Sequence, residues 1–193
     1  MEVMLRNRLE EILKSYKSAV GHYLVFPYLV PELKDSVDFD QQSHYHCYDV
    51  YDHILHSIDE YMQLHPENQD WVCKLVLLLH DIGKPYCFTM DEKGGHFYGH
   101  AGKSEEISRE VLTRLGYPSH FIATVTCLVR VHDTICDTEE SVLKFSKMLG
   151  NENYLRLLDI QEADIKAHSD FNQTVKLEKL VRARTIYERF QMV

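Results

Sequence analysis

The sequence predicts an all-α helical bundle. Apolar residues recur at helical spacing along most of the chain. Only five prolines and eight glycines punctuate 193 residues, and β-prone alternation is confined to one short stretch. A first helix is expected over about 2–19, closed near Gly21. Residues 21–46, with Pro27 and Pro31, read as an irregular connection. Periodicity resumes near Tyr48, where Val50, His53, Ile54, Ser57, Ile58, Tyr61 and Met62 share one face until Pro66 closes the segment. A helix over 71–82 turns Val72, Leu75, Val76 and Leu79 inward, with Gly83 and Pro85 as stop signals. It is apolar nearly all round from Leu75 to Leu79, which places it at the centre of the fold. Residues 88–98, FTMDEKGGHFY, suit a small β-hairpin about an Asp/Gly turn. Ser104 reads as the N-cap of a helix that Gly116 closes. Pro118 starts another with Phe121, Ile122, Val125, Leu128 and Val129 inward. Helices over 138–149, 151–168 and 175–190 complete the chain. One domain over 1–193 is expected, with a core at 44–168 and the first and last helices flanking it.

Composition narrows the function. The net charge of −9 repels a phosphate backbone, so nucleic acid is not an expected partner. The richest apolar run, Val72 to Leu79, already contains Lys74, so no membrane span is expected. The N-terminus lacks the apolar stretch of a secretory signal, and the five cysteines contain no C-x-x-C pair. A reducing cytoplasm is the expected compartment.

Polar residues interrupt the apolar stripes in a pattern. His53 takes the i+3 place of Val50, His80 continues the stripe ending at Leu79 with Asp81 directly after, and His132 extends the stripe ending at Val129. Asp164 lies on the face of Leu157 and Gln161. One inward histidine is ordinarily a hydrogen-bonded core residue. A buried carboxylate, however, needs a cation or a positive partner. Separate helices thus point imidazoles and carboxylates into the core; with His100 they offer six N/O donors and no thiolate. Such a set suits one or two ions of Mn, Ni, Mg, Fe, Co or Zn.

The order of these residues resembles the H…HD…D signature of the HD-domain metal-dependent phosphohydrolase superfamily. HYHCYDVYDHIL (44–55), LLLHDIGKP (77–85), HFYGHAGKS (96–104), LVRVHDT (128–134) and EADIKAH (162–168) are similar to the HD domain of bacterial CCA-adding tRNA nucleotidyltransferases. The resemblance implies an all-α fold, a metal site on His53, His80, Asp81 and Asp164, and a second-metal pair at His100 and His132. The 193 residues leave no room for a nucleotidyltransferase head, so a stand-alone HD domain without tRNA end repair is expected.

The function this implies is hydrolysis of a small phosphate ester, a nucleotide or cyclic nucleotide, by metal-activated water. A di-iron oxygenase on the same donors and a non-catalytic nucleotide-binding module are the alternatives. Asp81 would bridge two ions or, beside one, orient the attacking water. Lys84, one turn beyond His80, can meet a phosphate oxygen, or else compensates the helix dipole as a solvated lysine. Lys103 and Ser104 fall where a helix N-terminus would meet an anion, and His46 shares the face of His53 if that helix extends backward. His22, His44, His65, His120 and His168 fall near element ends and read as surface or capping residues.

Overall fold

The computed structural model describes residues 1–15, 17–43, 47–92, 94–171 and 173–191, and it is overwhelmingly helical. In chain order, α1 (Glu2–Lys14) is followed by a 3-10 turn (Val20–His22), the short α2 (Phe26–Leu29), a second 3-10 turn (Pro31–Ser36), α3 (Val50–Leu64) and α4 (Trp71–Leu79). A third 3-10 turn (Lys84–Tyr86) leads to an antiparallel hairpin of β1 (Thr89–Asp91) and β2 (Gly94–His96), in which Thr89 faces His96. The helices α5 (His100–Arg114), α6 (Ser119–Val131), α7 (Glu139–Leu149), α8 (Asn151–Lys166) and α9 (Gln173–Gln191) complete the fold.

Local chemistry sets the starts. The Asp49 carboxylate accepts the N–H of Asp52 at the head of α3, and Asp70 does the same for Val72 at the head of α4. Thr138 and Ser141 form a reciprocal capping box before α7. Every residue of α4 from Val72 to Leu79 is buried, and the helix packs on α1, α3, α6 and α8. Each fully buried leucine there contributes about 1.5–3 kcal/mol of hydrophobic stabilisation. Lys74 escapes by sending its ammonium to the Ser15 carbonyl (2.9 Å) and Gln69 (2.6 Å). Beside this core, Val142, Tyr154, Leu158, Leu180 and Ile186 of α7, α8 and α9 form a second cluster. Helix α8 faces both, since Leu157, Ile160 and Ala163 belong to the main core.

Several boundaries differ from the sequence reading. Helix α1 stops at Lys14 because the Ser15 hydroxyl and N–H both bond the Ile12 carbonyl. The stretch expected to be irregular winds into short helical turns, with Pro27 and Pro31 at the first positions where a missing N–H does no harm. Ser104 is not an N-cap: α5 begins at His100, and the buried Ser104 hydroxyl accepts the Gly83 N–H (2.9 Å). That bond ties the turn after α4 to the first turns of α5. A Cβ on Gly83 would stand 2.5 Å from the Ser104 nitrogen and 2.8 Å from the His100 carbonyl oxygen. Only glycine admits this approach. Gly83→Ala is expected to destabilise the fold by roughly 1–3 kcal/mol, the range of overpacking, as read from a urea unfolding curve. An unchanged midpoint would show that the two backbones need not touch.

Candidate metal centre

The donors converge at one end of the bundle. His53 comes from α3, His80 and Asp81 follow the last turn of α4, His100 opens α5, His132 follows α6, and Asp164 lies in the last turn of α8. All are buried except the half-buried His100. His53 Nε2 lies 2.9 Å from Asp164 Oδ1, 3.4 Å from Asp81 Oδ2 and 3.4 Å from His80 Nε2. His80 Nε2 is 3.2 Å from Asp81 Oδ2 and 3.4 Å from Asp164 Oδ1. On the other side of the same carboxylate, Asp81 Oδ1 lies 3.4 Å from His100 Nε2 and 3.7 Å from His132 Nε2, which are themselves 3.4 Å apart. Asp81 therefore belongs to two donor sets, one on each oxygen.

These spacings fit metal ions. Ligands about 2.0–2.1 Å from a shared ion stand roughly 3.0–3.4 Å from one another, close to the observed edges. The tautomers fit as well. His80, His100 and His132 each bond a carbonyl three residues earlier through Nδ1, at 2.6, 2.9 and 2.7 Å, to Leu77, Phe97 and Val129. A carbonyl only accepts, so each Nδ1 carries hydrogen and Nε2 is the nitrogen turned to the centre, where it takes a cation or a proton. Two such nitrogens 3.4 Å apart, as in His100 and His132, turn two acceptors toward one point, an arrangement that a cation satisfies. Asp81 Oδ1, aimed at the same spot, makes no hydrogen bond among the described residues.

A cavity of about 200 Å³ opens on this centre, lined by Asp81, Lys84, His100, His132, Asp164 and His168, with Lys176 of α9 at its wall. Lys84 is buried, its ammonium 2.7 Å from Asp81 Oδ2 and 2.8 Å from Gln41 Oε1, so it is not the solvated lysine that one reading allowed. Ser104 is fully buried, its hydroxyl accepts the Gly83 N–H, and it does not line this cavity. Lys103 bonds Glu106 (2.9 Å) and does not line this cavity. His46 and His44 lie outside the described residues. His168, which reads as a capping residue in the sequence, instead lines the cavity beside His53 and Asp164, with donor atoms of the three within 4.8 Å of one another. Burial pushes its imidazole down to about 3. His168 continues the face of Leu157, Gln161 and Asp164 at i+11, a signal the sequence reading passed over because the residue falls at the end of the expected helix.

A helical bundle with a buried histidine and carboxylate cluster of this kind defines a class of scaffolds compatible with divalent-metal binding. Residues 44–168 match the HD domain family, and the chain belongs to it. Its fold is that of the metal-dependent phosphohydrolase superfamily. The chain is 28% identical over 135 residues to the A-adding tRNA nucleotidyltransferase of Deinococcus radiodurans, covering 66% of this chain and 31% of the relative. It is 29% identical over 149 residues to the CC-adding tRNA nucleotidyltransferase of Thermus thermophilus, covering 73% of this chain and 34% of the relative. The matched stretch thus spans about a third of the length of these curated relatives. No helix among the described residues is long and apolar enough to cross a membrane.

The electrostatics ties a proton to the centre. Burial opposes charge on His80, but the Asp81 and Asp164 carboxylates outweigh it and raise the imidazole to about 10. Burial would likewise raise Asp81, yet the charges of His80 and Lys84 hold it well below the usual carboxylate range. At neutral pH the metal-free centre therefore keeps a proton on His80 that an incoming cation must expel, while Asp81 is already ionised. Affinity for Mn²⁺ should rise about tenfold per pH unit between pH 6 and 8, with about one proton released per first ion. Calorimetry in two buffers of different ionisation enthalpy reads this directly. A pH-independent affinity would contradict the arrangement.

Proposed function

We propose that the chain is a metal-dependent phosphohydrolase cleaving a small phosphate ester, a nucleotide or cyclic nucleotide. In this reading His53, His80, Asp81 and Asp164 hold one divalent ion, and Asp81, His100 and His132 hold a second. The observation that carries it is Asp81, whose two buried oxygens face separate sets of imidazole nitrogens at the floor of a cavity. Bound there, divalent ions would supply a water of near-neutral pKa and positive charge against phosphoryl oxygens.

The chain's own residues do the rest. Lys84 fixes Asp81 through its 2.7 Å ion pair and adds positive charge at the cavity floor. Lys176 lines the wall and brings a second ammonium to an anionic ester. The His168 Nδ1–H donates to the Asp164 carbonyl oxygen (2.7 Å), which holds its ring at the cavity wall. The cavity of about 200 Å³ has room for a phosphoryl group beside the donors and opens to solvent.

Phosphate release from a panel of nucleotides, cyclic nucleotides and sugar phosphates, each with Mn, Ni, Co, Mg or Fe, tests the reading. Activity is expected with at least one pair. Asp81→Asn should lose bound metal and activity together, by more than the roughly 10–100-fold that outer-shell changes cost. Full turnover in the metal-free protein would reject the proposal, as would dioxygen uptake by the iron-loaded protein with no phosphate released from any ester.

A further inference from the structure

Gln41 is fully buried in the loop before α3 and belongs to no apolar stripe, yet its amide is matched at both ends. Its Nε2 donates to the carbonyls of Tyr48 (3.1 Å) and Asp49 (3.4 Å), just ahead of the helix that carries His53. Its Oε1 accepts from Lys84 Nζ (2.8 Å), which reaches on to Asp81 Oδ2 (2.7 Å). An amide suits this place because one side faces acceptors and the other an ammonium; a hydrocarbon satisfies neither, and a carboxylate keeps the partner of the ammonium while giving up only the bonds to the loop carbonyls. The loop is itself clamped by the hairpin. The Gly95 N–H donates to the Gln42 carbonyl (2.8 Å), and a Cβ on Gly95 would stand 2.3 Å from the Gln41 carbonyl oxygen. Phe97, directly after β2, places its ring under the Lys84 ammonium, 5.3 Å from the ring centre.

We propose that Gln41 is a positioning residue: by holding Lys84 to one side, it fixes the plane of the Asp81 carboxylate so that Oδ1 stays open toward His100 and His132. The claim deepens the proposed function and rests on the two-ion reading of the centre. A bridging carboxylate must aim both oxygens within roughly 0.5 Å and 10–20°. Lys84 bonds Oδ2, and Oδ1 is a buried oxygen that makes no hydrogen bond among the described residues. Without Gln41 the ammonium can drift toward Oδ1 and close the second donor set, leaving His53, His80 and Asp164 in place.

The test is Mn²⁺ titration of the metal-free protein by calorimetry, with the spin-coupled two-ion signal read by electron paramagnetic resonance. Gln41→Met should bind the second ion at least tenfold more weakly and lose the coupled signal, with the first ion little changed. Gln41→Glu, which keeps an oxygen toward Lys84, should retain the second ion. In a Lys84→Met background, Gln41→Met should add nothing further, because it acts through that lysine. A Gln41→Met protein that melts lower but binds both ions as wild type does would overturn the proposal. Losses that multiply in the double variant would do the same, as would a Gln41→Glu protein as impaired as Gln41→Met. A wild-type protein binding fewer than two ions removes the two-ion reading and this inference together, whereas an intact wild type with an unaffected variant removes only the role of Gln41.

Discussion

A carboxylate buried at the end of the most apolar helix is the constraint around which this fold is arranged. An isolated charge moved from water to a protein interior loses several kcal/mol even after relaxation. Asp81 is tolerable there because Lys84 meets one oxygen and four imidazoles crowd both. To bring those partners in, α3, α5, α6 and α8 must all converge on the same end of α4. The Gly83 backbone lets α5 close in, and the double-faced α8 carries Asp164 to the junction of the two apolar clusters. Packing and chemistry thus make the same demand on the backbone.

The centre then behaves as a balance between proton and cation. Carboxylates held ionised and a histidine held protonated describe a site that keeps positive charge whether or not a metal is bound. The Nδ1 bonds to Leu77, Phe97 and Val129 hold the rings with Nε2 inward, so little reorganisation accompanies exchange of a proton for a metal cation. The two donor sets are unequal. His53 and His80 share two carboxylates, whereas His100 and His132 share one oxygen of Asp81.

Much of this was legible in the sequence because the helices are long and their stripes regular. His53, His80, His132 and Asp164 stand out as polar residues at apolar positions of such stripes, and the helices that place them are found where the periodicity puts them. The small hairpin was legible from its Asp/Gly turn. What periodicity cannot see lies in turns and beyond helix ends. Gln41 sits in a loop, and Lys176 opens into the cavity from a helix with a weakly sided pattern. Ser104 misled for a related reason. Its hydroxyl has the chemistry of a cap, but the tertiary bond to Gly83 claims it and the helix starts a turn earlier. The resemblance among the quoted blocks reached His100, which no stripe marks.

Anomalous diffraction from crystals soaked in manganese, collected at its absorption edge, would locate any ions held by Asp81. Two peaks are expected, about 3.5–4 Å apart as in two-metal sites generally, on opposite oxygens of Asp81, with His53, His80 and Asp164 around one and His100 and His132 around the other. Peaks elsewhere, or an Asp81 region that stays blank at saturating metal, would contradict the account.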